Sequence, residues 1–146
     1  MENYGFAREL ILQMLKTRMA FRQTLQRVLK RNNIDITFEM LQIMNCLWHK
    51  QGVSQQVLAE NTAKDKACLT NLMTNLEKKG FVIRKEDPND RRSRLVYLTS
   101  KGEDVNNNIR PLIMEMYSKA EIKMEIGDVT LCINQLKKLD EILNQL

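Results

Sequence analysis

The apolar positions of this chain change period within one stretch, residues 64 to 102. Leu69, Leu72, Met73 and Leu76 fall at i, i+3, i+4 and i+7, a single stripe of an α-helix. Turned away from it are Ala67, Asn71, Thr74 and Lys78. Gly80 ends the helix as a C′ residue, behind Lys78 and Lys79, whose charges suit the negative end of the helix dipole. Residues 81–86 and 94–99 then form two short runs rich in Val, Ile, Phe and Tyr, separated by Asp-Pro-Asn-Asp-Arg-Arg-Ser, which is the grammar of a β-hairpin.

The same periodicity organises the flanks. Residues 4–31 carry Phe6, Leu10, Ile11, Met14, Leu15, Phe21, Leu25, Val28 and Leu29, a long amphipathic helix that Asn32-Asn33 ends. Its apolar face is wide for one core. Thr37 is expected to cap the next helix, with Met40, Leu41, Met44, Leu47 and Trp48 inward, closed by Lys50-Gln-Gly52. Val53 adds a short strand against the hairpin, and Ser54 caps a helix over roughly 54–61 with Val57 and Leu58 inward. Asn61 to Lys64 is a tight link, and Asp65 is the N-cap of the helix that runs to residue 79. Thr99 or Ser100 starts a further helix, and Ser100 with Glu103 has the capping-box form. That helix runs over about 101–125, where Pro111 removes a ladder bond and predicts a kink or local rearrangement. Gly127-Asp128 is predicted to break the chain and cap a last helix. There Leu131, Ile133, Leu136, Leu139, Ile142, Leu143 and Leu146 leave an apolar surface that pairing in a twofold dimer would cover.

At 146 residues the chain is one domain's worth, predicted as mostly α (α+β). Its net charge is +5, and the stretch 78–101 carries that whole excess: eight Lys and Arg against three Asp and Glu. No uninterrupted apolar run suffices to span a bilayer and no charged-then-apolar leader is present, so no membrane association and a cytoplasmic location are expected. Cys46, Cys68 and Cys132 lie far apart and are odd in number, which fits a reducing compartment. With His49 the only histidine, a metal site built from several imidazoles of one chain is excluded. No Gly-x-Gly-x-x-Gly, P-loop, Gly-x-Ser-x-Gly or Cys/His grouping is found; no catalytic residues, metal or cofactor are expected, and the chain reads as a non-enzyme.

An outward helix face ordinarily favours Glu and Lys. Small uncharged hydrogen-bonding groups suit instead a helix lying in a DNA major groove, where bulk or negative charge obstructs contact with base edges. Asp65 as N-cap places Lys66, Ala67, Thr70 and Asn71 in the first two turns, the part that enters most deeply. Asn71 is the preferred base reader, because its amide can pair with adenine N6 and N7; Lys66, Thr70, Thr74 and Asn75 are assigned to phosphates. Ser54 and Gln55, at the start of the preceding helix, either meet a phosphate with that helix's amides or simply cap it.

This stretch resembles the MarR family of winged helix-turn-helix transcription regulators. The matching residues are Leu76-Glu-Lys-Lys-Gly80-Phe-Val, Asp87-Pro-Asn-Asp90-Arg91-Arg92 and Val96-Tyr-Leu98-Thr99-Ser-Lys-Gly102, in that order and spacing, with the likeness sharp over about 53–102. It implies one domain over 1–146: a winged helix-turn-helix region at 35–102, and a helical dimerisation region formed by 1–34 and 103–146 with a second subunit. It implies further that the Asp-x-Arg pattern falls on Asp90 and Arg92, the carboxylate orienting the guanidinium into the minor groove, with Arg91 and Arg94 on phosphates. The implied function is that of a sequence-specific DNA-binding regulator, a repressor, acting as a homodimer on a pseudo-palindromic operator in double-stranded DNA. The recognition helix is about 65–79 and the wing 87–94. A small aromatic or phenolic effector bound between the dimer helices and the DNA-binding lobe is the family's usual release signal. Met14, Met44, Met73, Met114 and Met116 are either core or the lining of an adaptable pocket. The family's other switch, oxidation of a cysteine in the first helix, has no counterpart, since that helix has none; Cys68 flanks the groove-facing side instead. The alternative reading is a winged module that binds an acidic protein through its basic hairpin.

Overall fold

In the computed structural model, which describes residues 5–62 and 64–146, each change of hydrophobic period becomes an element. The order is α1 (Gly5–Arg31), α2 (Phe38–His49), β1 (Val53–Ser54), α3 (Gln55–Thr62), α4 (Lys66–Lys78), β2 (Val82–Asp87), β3 (Asp90–Leu98), α5 (Ser100–Glu121) and α6 (Ile126–Gln145). The caps are made by the residues whose side chains are short enough to reach back. Thr37 Oγ1 accepts the Met40 amide at 3.1 Å, Ser54 Oγ the Val57 amide at 3.2 Å, and Asp65 Oδ1 the Cys68 amide at 2.7 Å. Each satisfies an amide that the first helical turn leaves without a partner.

Chain reversals fall where the backbone can turn left-handed. Asn33 (φ 56°) stops α1, and Gly80 (φ 77°) stops α4. The Phe81 amide then returns to the Leu76 carbonyl at 3.0 Å, closing the end of the helix. At the start of α5 the cap is Thr99 and not Ser100: its hydroxyl oxygen accepts the Gly102 amide at 3.0 Å, while its own proton goes to the Gly80 carbonyl. Glu103, expected in a capping box, accepts instead from Gln51 Nε2 at 3.0 Å. Thr99 thus ties the end of α4 to the start of α5.

Two compact units divide at Ile109/Arg110, beside Pro111. In the first, α2 is the centre, with Met40, Leu41, Ile43, Met44 and Leu47 all buried. Around it lie Leu25 and Leu29 of α1, Leu58 of α3, Leu69, Met73 and Leu76 of α4, Val82 and Val96 of the sheet, and Ile109. Trp48 is half-buried at the margin of this core. Arg22 fastens α1 to α2 through Glu39 at 2.8 Å. Partial burial works against ionising Glu39, but the Arg22 hydrogen bond, a backbone hydrogen bond and the charges of Arg22 and Lys64 together outweigh it and hold the carboxyl below its ordinary value. Val57, expected inward, is exposed. An eight-residue helix offers one narrow stripe, and Leu58 and Thr62 occupy it at i and i+4.

The sheet has the order β1-β3-β2, all antiparallel, with Val53 opposite Val96 and Val82 opposite Leu98. The turn is shorter than expected. Asp87 pairs with Asp90 across Pro88-Asn89, so β3 begins at Asp90 rather than near Arg94. One step back along β2, Glu86 pairs with Arg94, which leaves Arg91, Arg92 and Ser93 as an irregularity in the longer strand.

The second unit comprises the remainder of α5 and α6. α5 stays helical through Pro111 and ends at Glu121, four residues before the expected boundary. Tight turns from the Lys123 amide to the Ala120 carbonyl and from the Met124 amide to the Glu121 carbonyl unwind it. Gly127 and Asp128 are therefore not the break. They lie in the first turn of α6, where Asp128 supplies the favourable charge and Glu125 is an N-cap without a side-chain hydrogen bond. α6 buries none of its residues, and Leu131, Ile142 and Leu143 are all more than half exposed.

Gly102 is the most closely packed of the described glycines, because a Cβ there would overlap the Phe81 carbonyl oxygen. Gly102→Ala is expected to cost about 1–3 kcal/mol through forced backbone displacement, read as a fall in the urea midpoint at unchanged slope. An unaltered midpoint would show that the α4–α5 junction tolerates movement.

Candidate nucleic-acid interface

The burial of Leu69, Met73 and Leu76 decides what α4 presents on its other side. Lys66, Ala67, Thr70, Asn71, Thr74 and Asn75 are all exposed, and they make one continuous face. No carboxylate interrupts it: Glu77 is turned aside and paired. The threonine hydroxyls donate back to the helix, Thr70 to the Lys66 carbonyl at 2.8 Å and Thr74 to the Thr70 carbonyl at 3.0 Å. They therefore offer lone pairs and methyl groups outward. The amides of Asn71 and Asn75 are the groups on this face with both a donor and an acceptor at one end.

The start of α3 and the hairpin converge on the first turn of α4. Gln55, Gln56, Lys66, Asp90, Arg92 and Arg94 are among the residues lining an open cleft of about 630 Å³ between them. Arg91, Arg92 and Arg94 are exposed along the irregular start of β3. Asp90 behaves differently from the expectation attached to it. Its carboxylate accepts the backbone amide of Arg92 at 3.0 Å, two residues on, and does not hold the guanidinium. It shapes the strand from which Arg92 projects, an Asx-type turn that the short reach of aspartate favours. Ser54 is engaged as the α3 cap, whereas Gln55 is held from the side.

That side contact is a part of the site that pattern reading missed. Arg84, on β2, donates to Gln55 Oε1 at 2.8 Å and forms an ion pair with Glu77 of α4. One guanidinium thus joins α3, α4 and the wing, the three elements lining the cleft or facing outward beside it. The signal available in sequence was a lone Glu in the last turn of a helix and an Arg directly after the apolar pair Val82-Ile83 of a strand. Their pairing depends on how β2 packs back against α4 after the Gly80 reversal, which sequence spacing does not specify.

Among the described residues no group of three or more His, Cys, Asp or Glu is placed to hold a metal ion, and no helix is long and apolar enough to cross a membrane. Met44 and Met73 are fully buried in the core, while Met14 and Met114 are exposed. Cys68 is exposed, and so is Cys132.

A short helix, a tight link, a second helix with an exposed polar face and a β-hairpin beside it define a winged helix-turn-helix protein. Residues 36–93 match the MarR family model, so that stretch is similar to the DNA-binding domain of MarR-type transcriptional regulators. The curated relative HosA, a transcriptional regulator of Escherichia coli O111:H-, is 35% identical over 71 residues. Those cover 49% of this chain and 53% of HosA, so the chain spans about half the length of the curated relatives it matches first. The Staphylococcus aureus MepR–DNA complex shares the fold, with TM-score 0.79 and 23% identity, covering 95% of this chain and 99% of its own. NadR in complex with 4-hydroxyphenylacetate is 26% identical with TM-score 0.74, covering 88% of this chain and 89% of that one.

The three-way junction yields a measurable coupling. In a double-mutant cycle of Arg84→Ala and Glu77→Ala, each single change is expected to cost about 1–3 kcal/mol of stability, since a half-buried charged group loses its partner. The double mutant should cost less than their sum. Strict additivity in chemical denaturation would show that the two side chains do not work as a pair.

Proposed function

We propose that this chain is a sequence-specific DNA-binding transcription regulator, a repressor, that acts as a homodimer on a pseudo-palindromic operator. The observation that carries the reading is the convergence of an uncharged, exposed α4 face with an arginine-bearing hairpin on one cleft. α4 enters the major groove, with Asn71 reading a base edge and Lys66, Thr70, Thr74 and Asn75 against the backbone. For the threonines this requires the hydroxyl to turn from its helix carbonyl. Ala67 lets the helix approach closely. The wing lies at the minor groove, where Arg92 meets the negative potential of a narrow A·T-rich segment and Arg91 and Arg94 meet phosphates. Gln55, steadied by Arg84, and Ser54 at the α3 N-terminus face the backbone.

Twofold pairing supplies the second half-site. The exposed apolar side chains of α1, with Phe6 at 88% and Met19 at 61%, and those of α6 are the surfaces we assign to a second copy. Residues 1–34 and 103–146 then form the dimerisation region, and 35–102 the DNA-binding region. The two recognition helices must sit about 34 Å apart to meet successive major grooves. Any small aromatic or phenolic effector that alters this separation would release the DNA, and the NadR complex supports such a ligand class for the fold.

Selecting bound fragments from genomic DNA and titrating the recovered site against salt tests this reading. Affinity is expected to fall steeply with salt, as several neutralised phosphates require. Arg92→Ala should cost about 1–3 kcal/mol of binding without changing the melting temperature, and Asn71→Ala should relax preference at one base position. No fragment enriched over bulk DNA would instead favour a module that binds an acidic protein through the hairpin. Sedimentation should give twice the chain mass; a lone subunit at micromolar concentration would remove the paired-helix geometry.

A further inference from the structure

A cavity that the proposed DNA interface does not use lies at the other end of α4. The link from α1 to α2, the last turn of α4, Phe81 and the beginning of α5 line an open cavity of about 370 Å³, a size in the range of small-molecule sites. Its charge is one-sided. Lys78, Lys79 and Lys101 bring three ammonium groups from two helices and the turn between α4 and the sheet, against one carboxylate, Asp35.

Two of the lysines are already positioned. Lys79 Nζ lies 2.7 Å from Asp35 Oδ2, and Lys101 Nζ stands 5.5 Å from the centre of the Phe81 ring. Neither contact removes the positive charge from the cavity. The Asp35 side chain is 98% exposed, so its pairing is weakened by water, and the Phe81 ring attracts the ammonium without neutralising it. Gathering like charges around one concavity is unfavourable, and an entering anion reverses the sign of that energy. Between the lysines the walls are apolar: Ile36 and Phe81 are buried, and Ile34 and Val105 are half-buried. Lysines, as compact point charges, suit a phosphate group without demanding the planar geometry that arginine imposes.

We propose that this cavity binds a small organic dianion, a phosphate monoester on an apolar body, whose charged end is held by Lys78, Lys79 and Lys101 and whose apolar end rests on Phe81 and Ile36. The site is separate from the cleft between α3, α4 and the wing. It therefore stands or falls independently of DNA reading.

Calorimetric titration of the full chain with phenyl phosphate tests it, with inorganic phosphate and benzyl alcohol as the charge-only and apolar-only controls. Phenyl phosphate is expected to bind at least about ten-fold more tightly than either control, a difference of about 1.4 kcal/mol. The Lys79→Gln/Lys101→Gln double variant should weaken that binding by about ten-fold or more. Asp35→Asn, which removes the competing carboxylate, should tighten it. Amide shifts on titration should centre on Phe81 and Asn108. Absence of phenyl phosphate binding, equal affinity for inorganic phosphate, or binding that Asp35→Asn leaves unchanged would each overturn the site. Should the double lysine variant unfold, the Asp35→Asn arm decides alone.

Discussion

Everything at the polar face of this protein depends on one hydrophobic constraint, the burial of Leu69, Met73 and Leu76. A helix with three such anchors on one stripe has no rotational freedom about its own axis. Turning it by even one residue, about 100°, would expose leucine and bury asparagine without a partner. The outward set Ala67, Thr70, Asn71, Thr74 is thus a by-product of the inward set, and its aim is as rigid as the core. Because the core is centred on α2, whose Met44 and Leu47 are wholly inaccessible, the aim is referred to the body of the domain and not to a mobile loop.

The wing is held differently. Val82, Val96 and Leu98 root the sheet in the same core, but beyond Arg94 the ladder loses register and the arginines project from irregular backbone. Asp90 stabilises that backbone through the Arg92 amide rather than through its charge. A rigidly aimed helix face and a more irregular arginine-bearing arm are therefore rooted in one core. Arg84 connects them from behind, where its charge is sheltered enough for the pairing with Glu77 to matter. This division suits backbone contacts, which position a protein on DNA, and base contacts, which demand fixed geometry.

The ends of the chain carry the opposite imbalance. α1 buries only Leu25 and Leu29 near its C-terminal end, and α6 buries nothing, yet both are patterned as amphipathic helices. The apolar surface they expose exceeds what a single copy covers, which is the physical motive for assigning it to a partner.

Local chemistry is legible in the sequence. The stripe of α4, the caps Thr37, Ser54 and Asp65, the left-handed stops at Asn33 and Gly80 and the short strand at Val53 all follow from periodicity and from the reach of short side chains. These are interactions within one or two turns of chain, so sequence spacing determines them. What spacing could not decide were competitions and long-range meetings. Val57 lost the inward position to Leu58, Thr99 outcompeted Ser100 as a cap because Gly80 is near, and the break before α6 fell at Ile122 to Glu125 instead of Gly127. The Arg84 junction, the backbone role of Asp90 and the lysine cavity bring together residues separated by many positions along the chain. Only the folded backbone sets those distances, because the energy that chooses them belongs to the packing of whole elements and not to any local run of residues.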